Sequence, residues 1–155
     1  MGTRSVIAVM HGDNAKAVSV HWDGYLEGVG AVLLKHYDSV KANHLISLGD
    51  VSSLGSVIGE KHPFSPFDRD ENSNTISVEE WESLYGDMTT FYGRDRGETG
   101  VDFKTLTDFN HFLEYFDNVG AEFAYIMRDG VWYYFDLADK TPRDLSEALT
   151  ALVDE

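Results

Sequence analysis

The stretch Glu122–Leu137, EFAYIMRDGVWYYFDL, decides the fold class. Two runs rich in aromatic residues, Glu122–Arg128 and Val131–Leu137, flank the dipeptide Asp129-Gly130. Asp-Gly readily takes positive φ at both central positions of a two-residue turn, so this spacing predicts a β-hairpin. Toward the N-terminus, Arg4–His11 carries Val6, Ile7, Ala8, Val9 and Met10, an apolar run too short for an ordinary helix and read as a buried strand. Gly12-Asp13-Asn14 is turn chemistry. Ala15–Trp22 then alternates, with Val18, Val20 and Trp22 on one face and Ser19 and His21 on the other. These two strands form a second hairpin, with Trp22 expected in the core.

Helical periodicity fills the space between the hairpins. Val29, Val32, Leu33, His36 and Tyr37 recur at helical spacing after Gly28 and Gly30, which places His36 on an apolar face. Asp38 or Ser39 caps a second helix that Gly49 ends, and Asp50–Gly59 reads as a turn-rich connection. Ser77 followed by Glu80 is a capping-box pattern, starting a helix through Tyr85. Met88–Tyr92 reads as a strand and Gly93–Gly100 as a polar loop. Leu106, Phe109, Phe112, Leu113 and Phe116 mark an amphipathic helix, and Thr141-Pro142 caps a final one. The expectation is a single α+β domain over residues 1–155, with an acidic loop at about 62–87. Its mainly antiparallel sheet is built from two hairpins and a middle strand, with helices packed on one face.

Composition narrows the function classes. The chain has 155 residues, 27 Asp and Glu against 12 Lys and Arg, and no cysteine. Its net charge of −15 argues against direct binding to nucleic acid or to an anionic membrane. No apolar run approaches the roughly 20 residues of a membrane span, and Met1–Ser5 lacks a signal-peptide pattern. The absence of cysteine removes disulfides and thiolate chemistry and fits a reducing cytoplasm. Residues 1–63 hold five basic and six acidic side chains, whereas residues 64–155 hold seven and twenty-one. The acidity thus belongs to the C-terminal part, as a solvated or salt-adapted face or as a surface read by a basic partner.

Three local patterns carry candidate chemistry. In His21-Trp22-Asp23-Gly24-Tyr25, His21 and Asp23 share strand parity. A carboxylate beside an imidazole orients it and raises its basicity; the alternative is a polar solvent face. Tyr25 is either core or a stacking platform. In Tyr92-Gly93-Arg94-Asp95-Arg96-Gly97-Glu98, Arg94 and Arg96 stand between glycines, and with Arg4 they offer forks suited to one phosphate or carboxylate. The alternative is a charged turn in which Arg94, Asp95, Arg96 and Glu98 pair among themselves. The third pattern places Asp68, Asp70, Asn72 and Glu79 at calcium-loop spacing, but Ser73 replaces the turn glycine and prolines precede it, so an acidic loop before a capped helix is the better reading. Asp68, Asp70, Glu71, Glu79, Glu80, Glu82 and Asp87 then form a candidate partner-binding surface. The aromatic residues around Trp132–Phe135 are chiefly sheet core, with one face a candidate interface. The His36/His44 spacing is not that of a zinc helix, and no nucleophile elbow, phosphate loop or dinucleotide fingerprint is present. No cofactor is expected.

Met1–Ser5, His21–Tyr25, Gly30, Leu48-Gly49-Asp50, Ser52-Ser53-Leu54, Tyr92–Glu98 and Tyr125/Gly130/Trp132 together resemble a family of small bacteriophage and prophage proteins with no assigned activity. The resemblance spans most of the chain. Leu26 stands where many relatives have proline, and Pro63–Asp87 is individual to this sequence. It implies a phage setting and action in the host cytoplasm, and draws interest to Arg4, His21, Asp23, Arg94 and Arg96 without assigning them a reaction. The leading expectation is an accessory protein that binds a basic or nucleic-acid-binding host protein, countering host defence through an acidic surface that imitates nucleic acid. The alternative is a nucleotide- or phosphate-binding protein, or a phosphodiester-directed enzyme, using Arg94 and Arg96 with His21 and Asp23. A virion component is a third reading with no sequence feature of its own.

Overall fold

The computed structural model describes residues 2–68 and 74–153. Both expected hairpins are present. Strand β1 (Ser5–His11) pairs antiparallel with β2 (Asn14–Val20), and β6 (Phe123–Arg128) with β7 (Val131–Asp136). Asp129 and Gly130 have φ of 52° and 80°, the positive values that a two-residue turn between twisted strands requires. The hairpins join through a parallel β1–β6 pair, Ser5 opposite Phe123 and Val9 opposite Met127. This central position buries Ser5–Val9 from both sides, which is why the run reads as continuously apolar rather than alternating.

The sheet order is β4 (Thr90–Phe91), β3 (Val51–Ser53), β2, β1, β6, β7, β8 (Arg143–Asp144), and β5 (Lys104–Leu106) also pairs with β2. Strand β3 lies parallel to the end of β2, while β5 runs antiparallel beside its start. Short β4 and β8 form the two edges. The α+β class and the mainly antiparallel pairing are as expected. Strands β3, β5 and β8 were not legible, being two or three residues long and lacking an alternating pattern.

Helices cover both faces, not one. On the first face, Ile7, Val18, Tyr125 and Trp132 pack under a π-helical turn (Leu26–Gly30), α1 (Ala31–His36), α2 (Ser39–Ser47) and α6 (Leu145–Val153), through Val29, Leu33, Leu45 and Leu145. On the second, α5 (Phe109–Asn118) lays Phe112 and Phe116 over Ala8, Ala15, Ala17 and Phe135. The small side chains of β1 and β2 make room there for the aromatic rings of α5, which also meet Phe135 of β7. Leu106 belongs to β5 rather than to α5, whose N-cap is Asp108, accepting from the His111 N–H at 2.8 Å. The last helix is capped by Asp144, not by Thr141-Pro142: its carboxylate accepts from the Glu147 N–H at 2.9 Å.

Two expected core positions, Trp22 and His36, are corrected, and one of the two alternatives for Tyr25 is removed. Trp22 is 44% exposed because β2 ends at Val20 and the chain turns before the indole reaches the sheet face. Tyr25 is 40% exposed, so it is not core. His36 is exposed at the end of α1, where the short helix leaves only Leu33 fully covered.

Candidate functional site

The His21–Gly30 corner is a backbone junction. Asp23 sits in the left-handed region at φ 58°, and its carbonyl accepts from the Val29 N–H at 2.8 Å. Gly24 donates to Thr3 O at 2.8 Å and accepts the buried Tyr125 hydroxyl at 2.6 Å, tying the corner to β1 and β6. A side chain at Gly28 would bring Cβ within 2.2 Å of the Asp23 carbonyl oxygen. The left-handed turn also carries the Asp23 carboxylate to the Tyr25 hydroxyl, 3.1 Å away.

His21 and Asp23 therefore do not form the expected pair. The His21 ring meets only Trp22 edge-on at 4.6 Å among the described ring contacts. Partial burial and then the Arg4 guanidinium hold its pKa below the ordinary 6.5, opposite to the increase an orienting carboxylate gives. Its imidazolium is thus disfavoured in the folded state: stability is complete above 6.5 and declines as pH falls through the lower folded pKa. Carbon-detected NMR titration is expected to place His21 below the ordinary range, and Arg4→Ala to move it partway back. For Asp23, whose conformation suits glycine, Asp23→Gly should change stability by less than about 1 kcal/mol in urea unfolding.

The loop expected over Gly93–Gly100 begins only at Gly97. Tyr92–Arg96 forms a helical turn, α4, which Gly97 ends. This turn places all five N–H donors of Arg94 on internal acceptors. They reach Asp95 from Nε (3.1 Å) and Nη2 (3.2 Å), Ile58 O (3.0 Å) and Gly59 O (3.1 Å) from Nη1, and Thr89 O (2.8 Å) from Nη2. The guanidinium also lies over the Phe91 ring. With no donor left for a phosphate, Arg94 is a clamp between the Ile58–Gly59 segment and the start of β4. Arg96 pairs with Glu98 at 3.6 Å and covers the Phe64 ring. The self-paired reading fits both arginines.

Asp95 is buried, accepting from the backbone N–H groups of His62 (3.1 Å) and Phe91 (2.8 Å) as well as from Arg94. His62, unremarkable in sequence beside Pro63, is buried as well. Its Nδ1 donates to Glu60 O at 2.7 Å, and in the neutral ring Nε2 accepts from the Thr90 hydroxyl at 3.0 Å. Tyr85 stacks on the His62 ring at 5.1 Å, while the Trp81 indole donates to Pro63 O at 3.0 Å. A continuous chain of contacts thus runs from Arg94 through Asp95 and His62 to α3 (Val78–Tyr85). Helix α3 starts as its sequence predicts, Ser77 accepting from the Glu80 N–H.

Trp81 is the only buried side chain of α3. Glu79, Glu80 and Glu82 face solvent, as do Asp87 beyond the helix and the apolar Phe67, Val78 and Leu84. Among the described residues no cation pairs with any of these four acids. Asp68 instead closes its own turn, accepting from the Phe64 N–H at 2.7 Å and the Ser65 hydroxyl at 3.3 Å. Asp70, Glu71 and Asn72, part of the acidic surface and of the calcium-like spacing, lie outside the described residues.

No hydrogen bond, ion pair or ring contact among the described residues joins Arg94 or Arg96 to Arg4, His21 or Asp23. A different polar group escaped the sequence reading: Asp50, at the start of β3, accepts from the Ser19 N–H at 3.0 Å, and burial raises its pKa. Burial, and then the charge of Asp50, also push up the phenol of Tyr115. An apolar cleft of about 380 Å³, lined by Phe109, Phe112, Ile126 and Tyr133, opens on the α5 face. Among the described residues no helix is long and apolar enough to cross a membrane. Comparison with known proteins finds no matching family model, curated protein or solved structure.

Proposed function

We propose that the protein is a binding module that engages a basic host protein through α3 and its acidic surroundings. The supporting observation is that α3 is anchored by one indole on a buried polar network, yet leaves Glu79, Glu80 and Glu82 without a cation partner among the described residues, beside uncovered Val78 and Leu84. Apolar knobs within an acidic field suit a partner whose basic groove also has apolar ground, such as a nucleic-acid-binding protein. With the family resemblance, the setting is that of a phage accessory factor in the host cytoplasm, acting against a host function by occupying that groove.

The phosphate-ligand alternative loses its main donor, because Arg94 is saturated. Immobilised protein exposed to host lysate is expected to retain a basic partner at low salt and release it at high salt, since exposed charge attraction is screened within about 8–10 Å at physiological ionic strength. Retention of nothing at low salt overturns the reading.

A further inference from the structure

Arg4 is the one arginine among the described residues without a carboxylate partner. Arg94, Arg96, Arg128 and Arg143 pair with Asp95, Glu98, Asp129 and Asp136 respectively. In a chain with 27 acidic side chains an unpaired guanidinium is conspicuous. It lines a cleft of about 670 Å³ at the end of the sheet, together with Thr3, His21, Asp117, Gly120 and Glu122. A Cβ at Gly120 would stand 3.4 Å from Arg4 Nη1, so the end of α5 limits the guanidinium on one side.

The other polar groups of the cleft select the ligand class. Asp117 is neutralised by Lys140 at 3.3 Å. Glu122 is exposed and, among the described residues, unpaired, although its N–H bonds the Arg4 carbonyl at 2.9 Å. The His21 ring makes no hydrogen bond among those described, which leaves it a donor and an acceptor for a ligand. The exposed Trp22 indole adjoins the cleft, touching His21 and lying against Gly2. One free guanidinium and one free carboxylate thus share a concave site. A bare anion meets both Glu122 and the field of a −15 protein, whereas a molecule carrying both charges meets neither penalty.

We infer that the Arg4–His21–Glu122 cleft binds a small zwitterion of the amino-acid class, its carboxylate on Arg4 and its ammonium on Glu122. Arg4 supplies a planar fork for the carboxylate, Glu122 accepts from the ammonium, and the indole face offers the ammonium a second attractive surface. This site is independent of the α3 surface and stands or falls apart from it.

The test is amide-detected NMR titration with each standard amino acid singly, beside acetate, methylammonium and inorganic phosphate as partial ligands. At least one amino acid is expected to move the Thr3, His21 and Gly120 signals while acetate and methylammonium at equal concentration do not. Affinity should fall by about tenfold or more in both Arg4→Ala and Glu122→Ala, as the loss of a charge-assisted contact implies. Arg4→Lys and Glu122→Gln are the conservative partners, expected to weaken binding with the rest of the spectrum unchanged. Silence from every amino acid at about 10 mM overturns the site, since it leaves no affinity of even millimolar order. Phosphate binding that strengthens in Glu122→Ala overturns the zwitterion in favour of a plain anion.

Discussion

Asp95→Ala is expected to destabilise the fold by about 3–5 kcal/mol, the usual cost of removing one member of a buried ion pair. The carboxylate accepts from Arg94 and from the backbone N–H groups of His62 and Phe91. Alanine leaves all of these donors without an acceptor in a site closed to water, and the penalty is their desolvation rather than the net worth of the bonds. For a domain of this size the loss corresponds to roughly 6–20 °C in Tm. The effect should spread to α3, because His62 connects the carboxylate to Tyr85 and Trp81. Faster solvent exchange of the Trp81 indole proton, measured by NMR below the melting transition, distinguishes this from uniform destabilisation. If Asp95→Ala melts within about 1 kcal/mol of the parent, the clamp does not carry the load assigned to it.

Phe116→Ala should cost a similar amount, about 3–5 kcal/mol, for a different reason. Its ring is fully buried, 5.0 Å from the Phe135 ring, over a stretch of sheet that presents mainly alanines. Those small neighbours cannot collapse into the vacated volume, so a cavity term adds to the lost transfer free energy. Denaturant unfolding gives the number. A small effect would mean that α5 covers its face only loosely and that the second core is minor.

Much of the fold was legible because its central features are local. The Asp129-Gly130 turn, the apolar run of β1 and the caps at Asp38 and Ser77 each act within a few residues, and each is where its chemistry requires. The short strands β3, β5 and β8 could not be read, since their existence depends on partners distant in sequence. Placement of α5 on the second face was hidden for the same reason: it follows from alanines on β1 and β2 that a linear reading takes as ordinary strand residues.

Site residues were less legible. Arg94 and Arg96 stood out in sequence as cations in an acidic region, and they are spent on acceptors that their own helical turn brings near. His62 gave no signal, because its partners Thr90 and Asp95 lie 28 and 33 residues away. His21 and Asp23 shared the parity of an extended strand, but Asp23 turns into the left-handed region and the parity ends there. The two places that sequence alone kept apart, an arginine turn and an acidic face, are one assembly in which the first supports the second.

Charge reversal on α3 tests this most directly. Glu79→Lys, Glu80→Lys and Glu82→Lys combined should abolish capture of the low-salt partner. An equal reversal at exposed Glu114, Asp129 and Asp139, away from α3, should leave capture within about threefold of the parent, a small shift in binding free energy. Capture that survives reversal on α3, or falls equally in both variants, would contradict a docking role for this helix.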